Sequence, residues 1–236
     1  MSESSLQKLA QYGQSPWLDY ISRSLIESGK LQKLIDQGLR GMTSNPSIFN
    51  QAIGTTNEYD AKILQLKKKG NATFEIYDEL TVKDIQDAAD VFLPVYEKTK
   101  RLDGYVSLEI NPLLANQIKE QADEGLRLFR KVNRPNLMIK VPSTKSGLVV
   151  IEELIAHGIN VNVTLIFSLE QYVQTAKAYF RGLKRLAEKE KDLSHVRSVA
   201  SVFVSRVDSM IDPILDEKIK NTTDKMKQEK LRSLKG

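Results

Sequence analysis

Cysteine is absent from this 236-residue sequence, and histidine occurs only twice. Without thiols the sequence has no disulfide framework and no thiolate nucleophile, and it has no Cys/His cluster of the kind that binds zinc. Although 12 glycines are present, none form a glycine-rich phosphate loop or a dinucleotide-binding fingerprint. We therefore expect neither a metal site nor thiolate chemistry.

Long apolar runs are missing as well, since no stretch approaches the roughly 20 residues that a membrane helix needs. The first residues, MSESSLQKLAQYGQ, have neither the apolar core of a signal peptide nor an Arg-rich transit pattern. With 41% hydrophobic and 28% charged residues, the composition is typical of a globular protein. These features predict a cytoplasmic protein with no membrane partner, folded as one domain over residues 1–236.

The net charge of +5 is concentrated near one end of the sequence. Residues 216–236 contain seven Lys or Arg and four Asp or Glu, so +3 of the +5 lies there. No aromatic residues are interleaved with these basic ones, and such runs are usually a solvated helix face or a disordered end. We expect a basic helical or disordered tail over 216–236 and no nucleic-acid partner.

Strand-like apolar runs alternate with segments of helical periodicity, the pattern of βα units and a parallel sheet. One helix is expected to begin after Thr81, because Thr81 and Asp84 have capping-box-like spacing, and another to begin at Ser168, which Gln171 follows at the same spacing. The expected helices span about 58–69, 82 onward, 111–130, 147–156 and 168–190, and the candidate strands span 17–21, 39–43, 105–110, 137–141, 159–167 and 199–204.

The two faces of these strands differ in polarity. Side chains alternate along a strand, so Asn160, Asn162 and Thr164 should point one way and Val161, Val163 and Leu165 the other. The same alternation gives four other strands a polar face, which carries Asp19, Ser107 with Glu109, Lys140, and Ser201. A doubly wound sheet should be apolar on both faces, whereas a (β/α) barrel collects polar groups at its C-terminal mouth. The pattern predicts a TIM-type barrel.

Lys140 carries the chemistry that this set of residues suggests. Desolvation in an apolar strand lowers the pKa of a lysine and frees the amine to form a Schiff base with a carbonyl compound. A carboxylate nearby would instead hold the amine charged, and the sequence leaves open which effect is larger. Asp19 and Glu109 are candidates for acid–base catalysis, and Arg206 is a candidate for pairing with a phosphate.

Each of these residues also has a structural interpretation. A single strand lysine or glutamate more often lies on a sheet edge or a solvent-facing surface, although polar groups on one face of five strands favour a shared site. In Thr43-Ser44-Asn45-Pro46, Ser44 or Asn45 would cap a helix that begins at Pro46. A capping role and a binding role for Asn45 are compatible.

The same residues resemble a known enzyme family. GMTSNPSIF, residues 41–49, resembles the first transaldolase signature, G-x-T-S-N-P-x-x-F, and LMIKVPSTKSGLVVIEELIAHGINVNVTLIFS, residues 137–168, resembles the second. The resemblance runs from about Trp17 to Arg206. It implies a class I aldolase (β/α)8 barrel that transfers a dihydroxyacetone unit between sugar phosphates in the pentose phosphate pathway, with no cofactor.

Catalytic roles follow from the resemblance for four residues. Lys140 would form the Schiff base with the ketose carbonyl. Asp19 would remove the proton of the C4 hydroxyl as the C3–C4 bond breaks and would return it to the acceptor aldehyde. Glu109 and Thr164 would assist imine formation through a water molecule.

Substrate-binding roles follow for five more. Asn45 and Asn162 would hold the dihydroxyacetone hydroxyls and retain the enamine until the acceptor aldose arrives. The segment SVFVSR matches the family pattern S-x-F-x-x-R, which assigns Ser201, Phe203 and Arg206 to the substrate, with the arginine on its phosphate.

The sequence departs from the family in strand number, because we count about six strands where a closed barrel of this type has eight. We therefore expect a barrel that lacks its last two βα units, with two exposed sheet edges and a tendency to self-associate. Two alternatives stay open: a non-catalytic barrel fragment that acts only by association, and a class I aldolase that releases free dihydroxyacetone.

Overall fold

The computed structural model describes residues 4–189 and 192–236, and its strands form one parallel sheet in chain order. The strands in this part of the chain are β1 (Trp17–Asp19), β2 (Gly41–Thr43), β3 (Tyr105–Glu109), β4 (Leu137–Pro142), β5 (Val161–Ile166) and β6 (Ser198–Val202). The helices are α1 (Ser5–Gln11), α2 (Arg23–Glu27), α3 (Lys30–Asp36), α4 (Pro46–Thr55), α5 (Asp60–Lys68), α6 (Thr73–Lys98), α7 (Ile118–Val132), α8 (Lys145–Ala156), α9 (Leu169–Ala187), α10 (Val204–Lys220) and α11 (Lys225–Arg232).

The sheet curves so that side chains of non-neighbouring strands meet. Asn162 Nδ2 on β5 donates a hydrogen bond of 3.0 Å to Ser107 Oγ on β3, across the intervening strand β4. In a flat sheet two strands so placed are about 9 to 10 Å apart, which is too far for these short side chains. The predicted α/β architecture, a partial (β/α) barrel with six parallel strands in the described residues, is confirmed.

The concave face of the sheet has an apolar floor. Tyr105 and Met138 are buried there, packed with Trp17 and Val199 from the two edge strands. Gly41 makes room for the indole, since a Cβ atom at this position would lie 2.4 Å from the Trp17 ring. On the same strands, the next inward-facing residues toward the C-terminal ends are polar. The concave face is therefore apolar at the floor and polar at its C-terminal opening, the mouth.

The convex face forms the main core against the helices. Ile139, Val141, Val161 and Val163 are fully buried there. They pack in one cluster with Leu154, Ile155 and other residues of the surrounding helices. Burial of apolar side chains at about 25 cal/mol per Å² makes this cluster the main source of stability. It also fixes which strand residues can face the mouth.

One predicted helix boundary is wrong. α6 begins at Thr73, not after Thr81, because Glu75 reaches back to accept a hydrogen bond of 2.7 Å from the backbone N–H of Ala72. Thr81 and Asp84 lie inside this helix on its buried face, 2% and 1% exposed. The two residues whose spacing resembles a cap are therefore buried polar residues inside a long helix.

Most of the other helix boundaries lie close to those expected. Ser168 caps α9 by accepting a hydrogen bond of 3.1 Å from Gln171 N–H, although the expected end at Glu190 lies outside the described residues. The expected start of a helix at Asn111 is wrong, because Pro112–Leu114 forms a short 3-10 turn and α7 begins only at Ile118. The basic segment 216–236 includes the end of α10 and all of α11.

The sheet has two edges in the described residues, β1 and β6. Apolar residues around β6 and α10 are exposed, among them Val202 (51%), Val204 (61%) and Met210 (69%). Within residues 4–189 and 192–236, no helix combines the length and the apolar character needed to cross a membrane.

Candidate active site

Lys140 lies on β4, which pairs with β3 on one side and β5 on the other. The residue is only 6% exposed. Its Nζ donates a hydrogen bond of 3.2 Å to the carbonyl oxygen of Ser44 and lies 3.5 Å from Oε2 of Glu109. A buried amine with one carboxyl group beside it is well placed for proton exchange during imine formation.

Glu109 ends β3 directly opposite Lys140 in the strand register. Burial raises the pKa of Glu109 above its ordinary value, and the attraction of Lys140 only partly offsets this. At this carboxyl group desolvation therefore outweighs the attraction of the neighbouring amine. A carboxyl group that keeps its proton to higher pH can donate it to a departing hydroxyl.

A chain of hydrogen bonds links four strands beneath the mouth. Ser201 Oγ donates to Asn162 Oδ1 (2.9 Å), and Asn162 Nδ2 donates to Ser107 Oγ (3.0 Å). Ser44 Oγ donates to the carbonyl oxygen of Ser107 (2.7 Å). Both ends of the Asn162 amide are therefore occupied by protein groups, and the residue is 2% exposed. This arrangement fixes the amide rigidly beside Lys140, its neighbour on β4.

Two threonine hydroxyls near this chain are buried with no hydrogen-bond partner in the described residues. They belong to Thr164 on β5 and Thr43 on β2. Thr43 is in register with both Asp19 and Ser107. An unpaired buried hydroxyl costs about 1 to 3 kcal/mol, so each is a candidate for contacting a polar ligand.

Asp19 is the last residue of β1, a three-residue edge strand, and it is exposed. The chain that follows is held by Arg23, which donates hydrogen bonds of 2.9 and 3.2 Å to Asp84 Oδ1. The Tyr59 hydroxyl donates to the other oxygen of Asp84 (2.7 Å), and the Arg23 guanidinium lies 4.4 Å from the centre of the Tyr59 ring. We refer to Arg23, Tyr59 and Asp84 as the α2 clamp. It anchors the segment that follows β1, which is an edge strand of the sheet in the described residues.

Asn45 lies between β2 and α4. Its Oδ1 accepts a hydrogen bond of 2.9 Å from the N–H of Ile48, and Pro46 is the first residue of the helix, as the sequence predicted. The capping bond uses the amide oxygen only. The Nδ2 group remains as a donor at the mouth.

Phe203 and Arg206 lie at the beginning of α10. The Arg206 guanidinium lies 4.4 Å from the centre of the Phe203 ring, and Phe203 stacks on Phe167 at 5.5 Å. Both ends of Arg206's planar fork can pair with phosphate oxygens while its face rests on the ring. This cation–aromatic stack forms one rim of the mouth.

One cavity of about 360 Å³ joins these elements. It is lined by seven of the nine residues predicted for the site: Asp19, Asn45, Glu109, Lys140, Thr164, Phe203 and Arg206. The other two, Asn162 and Ser201, do not line it but form the hydrogen-bond chain described above. The volume is suited to a small polar metabolite.

Sequence reasoning missed two features of the site. Ser44 was treated as a possible cap, yet its carbonyl oxygen accepts the hydrogen bond from Lys140. Leu165 was expected on the opposite face from Thr164, and this is wrong: Leu165 lines the cavity beside Thr164. A bulge in β5 breaks the alternation, as the shift in register between Val163 and Ile166 shows. Neither feature has a sequence signal, because both depend on backbone geometry.

No group of three or more His, Cys, Asp or Glu side chains in the described ranges is arranged to hold a metal ion. The donors of the mouth are one amine, two carboxyl groups, amides and hydroxyls, a set that favours acid–base and covalent chemistry.

Comparison with known proteins gives the family. The model of the transaldolase/fructose-6-phosphate aldolase family matches residues 16–233. A transaldolase of Trichodesmium erythraeum is 47% identical over 237 residues, which cover 100% of this chain and 62% of the relative. Transaldolase 2 of Nostoc punctiforme is 46% identical, covering 100% and 62%. Transaldolase 2 of Streptomyces avermitilis is 45% identical, covering 90% and 57%. The chain thus spans about three fifths of the length of the curated relatives that it matches.

Proposed function

Because the chain belongs to the transaldolase/fructose-6-phosphate aldolase family, we propose that it carries out Schiff-base transaldolase chemistry. The reaction is the reversible transfer of a dihydroxyacetone unit from sedoheptulose 7-phosphate to glyceraldehyde 3-phosphate, which gives erythrose 4-phosphate and fructose 6-phosphate. The observation that carries this proposal is the buried Lys140 amine, 3.5 Å from Glu109, in a cavity that Asp19 also lines.

Imine formation begins when the Lys140 amine attacks the C2 carbonyl of the ketose. The carbinolamine then loses its hydroxyl as water, with a proton supplied by Glu109, whose raised pKa suits it to this step. The Thr164 hydroxyl, which has no partner in the described residues, holds the water that relays this proton.

Asp19 acts in the carbon–carbon bond step. It accepts the proton of the C4 hydroxyl as the C3–C4 bond breaks. The electron pair of that bond moves toward the iminium nitrogen, which leaves an enamine on Lys140 and releases the first aldose. The enamine carbon then attacks the acceptor aldehyde, and Asp19 returns its proton to the new hydroxyl. Because Asp19 lies on the rim, its carboxylate reaches the substrate without being desolvated.

Substrate binding is divided between amides and the cation–aromatic stack. The free donor of Asn45 and the rigid amide of Asn162, supported by Ser201, hold the dihydroxyacetone hydroxyls. Arg206, resting on Phe203, binds the terminal phosphate of the substrate. The reaction transfers no net electrons to or from an external acceptor, so we propose that it uses no cofactor.

Borohydride trapping tests this proposal directly. The 236-residue chain is incubated with fructose 6-phosphate, reduced with sodium borohydride and analysed by intact mass. We expect the mass increase of one reduced dihydroxyacetone adduct, absent from Lys140→Ala and retained by Lys145→Ala, an exposed lysine on the next helix. An adduct that persists in Lys140→Ala, or none in the unmodified chain, would remove the proposal.

A second measurement separates the related aldolase. If free dihydroxyacetone forms from fructose 6-phosphate at the same rate with and without an acceptor aldose, the chain is an aldolase of the same family. Transfer to glyceraldehyde 3-phosphate with little free dihydroxyacetone supports the transaldolase.

We also propose that residues 1–236 form one barrel domain that works in the cytoplasm, in the pentose phosphate pathway, without a nucleic-acid partner. The support is compositional for the location and familial for the pathway. Mobility-shift measurements with DNA and RNA at physiological salt should give no complex, in spite of the basic segment 216–236.

Self-association is a further proposal, supported by the exposed apolar residues around β6 and α10 and by the free edge of β6. Such surfaces commonly bind other chains. Sedimentation velocity should show a mass that rises with protein concentration, and Val204→Glu should reduce that rise. A chain that stays monomeric and active would exclude both self-association and the alternative of a non-catalytic fragment.

A further inference from the structure

Leu165 has an uncommon backbone conformation for a leucine. Its φ is +62°, in the left-handed region that glycine normally occupies. The position is also a β-bulge, because Val163 pairs with Ala200 while Ile166 pairs with Val202, which leaves one extra residue on β5. Strained residues of this kind persist only where their surroundings hold them, and they are concentrated at functional sites.

The bulge exchanges the positions of two apolar side chains. Without it, Leu165 would follow Val163 onto the convex face, into the core. Instead Ile166 takes that place and is 1% exposed, while Leu165 is 38% exposed and lines the cavity with Lys140 and Thr164. The strain thus places an apolar side chain at a mouth whose other strand residues are polar.

Gln171 on α9 holds this conformation through three hydrogen bonds. Its Nε2 donates to the carbonyl oxygens of Leu165 (2.8 Å) and Ser143 (2.7 Å), and its Oε1 accepts from the N–H of Phe167 (2.9 Å). These bonds connect the bulge to the end of β4, the strand of Lys140. The side chain of Gln171 is therefore the support that keeps Leu165 at the cavity.

We propose that Leu165 determines how the covalent intermediate is divided between transfer and hydrolysis, with Gln171 as its positioning residue; this inference rests on the proposed function. Hydrolysis requires that the enamine take a proton on carbon, that water add to the iminium carbon, and that the C–N bond break to give dihydroxyacetone and the free amine. The Leu165 side chain offers water no hydrogen bond and occupies part of the wall of the cavity that Lys140 also lines. It disfavours water addition and leaves the approach of a sugar aldehyde open.

The test uses Leu165→Ala and Leu165→Gly in the 236-residue chain, with fructose 6-phosphate as donor. The readout is the rate of dihydroxyacetone release divided by the rate of transfer to glyceraldehyde 3-phosphate. We expect this ratio to rise about tenfold in both variants, the lower end of the discrimination that an added or missing methylene group gives in a hydrophobic pocket. Leu169→Ala, a truncation of a leucine that is 79% exposed, should leave the ratio unchanged.

Stability gives an independent readout. Because glycine adopts a positive φ without strain, Leu165→Gly should unfold at a higher urea concentration than Leu165→Ala, the reverse of the usual order for a strand. Gln171→Ala should raise the release-to-transfer ratio, and Gln171→Glu, which keeps the acceptor for Phe167 but loses both donors, should not restore it. The double variant Gln171→Ala with Leu165→Gly should have the same release-to-transfer ratio as Leu165→Gly alone.

The outcomes distinguish this inference from the proposed function. A Lys140 adduct in all variants together with an unchanged ratio would overturn the role of Leu165 and leave the transaldolase proposal intact. Loss of the adduct from the unmodified chain would overturn both. A ratio that rises in Leu169→Ala as much as in Leu165→Ala would show a general loosening of the segment and would also overturn the inference.

Discussion

The mouth of the barrel has an interior half and a rim half, and they are built differently. Lys140 and Asn162 lie on central strands, buried and with a register partner on both sides, and the partly buried Glu109 ends β3 beside Lys140. Asp19 ends the edge strand β1, Arg206 lies in α10 just after the other edge strand β6, and both are exposed. The groups proposed to change their covalent or proton state at the imine are held by the sheet itself. Asp19 and Arg206, proposed to contact the C4 hydroxyl and the phosphate of the substrate, are instead supported by nearby side chains: the α2 clamp and the Phe203 ring.

The α2 clamp is the strongest of these local supports, and breaking it should have the largest effect. Asp84→Ala leaves Arg23 without its anion and removes the acceptor of the Tyr59 hydroxyl. Breaking a buried pair in this way costs about 3 to 5 kcal/mol of unfolding free energy, measurable by urea denaturation. Asp87→Ala, on the same helix in an exposed pair with Lys83, should cost less than about 0.5 kcal/mol. If Asp84→Ala and Asp87→Ala lose the same unfolding free energy, β1 does not depend on the clamp.

The hydrogen-bond chain under Lys140 should show that the interior half also contributes to stability. Asn162→Ala removes the partner of both Ser107 and Ser201, and we expect a loss of about 2 kcal/mol. Ser201→Ala removes one bond at the partly exposed end of the chain and should cost about 1 kcal/mol or less. If Asn162→Ala unfolds at the same urea concentration as the unmodified chain, the interior half is not the rigid part.

Arg206 should behave in the opposite way, with an effect on binding and none on folding. We expect Arg206→Ala to weaken fructose 6-phosphate binding about tenfold in calorimetry, the contribution of one charge-assisted contact, with stability unchanged. Arg206→Lys keeps the charge but loses the planar fork over Phe203, so it should restore affinity only in part. If Arg206→Ala weakens the binding of unphosphorylated fructose as much as that of fructose 6-phosphate, the phosphate binds elsewhere.

What could be predicted of the site from the residues themselves depended on how regular the strands are. Along the regular stretches of the strands, Glu109, Lys140 and Asn162 could be assigned to one face from the period of two alone. Alternation fails where backbone geometry changes, and the bulge therefore hid Leu165. Long-range contacts leave no local signal either: the spacing of Thr81 and Asp84 resembled a cap, whereas Asp84 pairs with Arg23 on α2. The partial barrel followed from the polar faces, but the start of α6 was missed because its capping bond, from the Ala72 N–H to Glu75, lies before Thr81.

Glu109 gives the smallest expected effect and the one that best separates function from stability. Its pKa is raised by burial, so the folded chain binds this proton more tightly than the unfolded chain does. The resulting stability is fully present below the ordinary pKa of glutamate, about 4.3, and is lost as pH rises through the raised value. Glu109→Gln should therefore stabilise the fold by about 1 kcal/mol at pH 7 and by little at pH 4, in urea denaturation at both pH values.

The same substitution should slow adduct formation at Lys140, because Gln supplies no proton to the departing hydroxyl. Glu97→Gln, an exposed control on α6, should change neither quantity. A Glu109→Gln variant that is less stable at pH 7 would mean that the attraction of Lys140 outweighs desolvation, and the pair would then stabilise the interior half. If it is more stable and slower, a glutamate at position 109 lowers the stability of the fold and is present because the imine chemistry requires its carboxyl group.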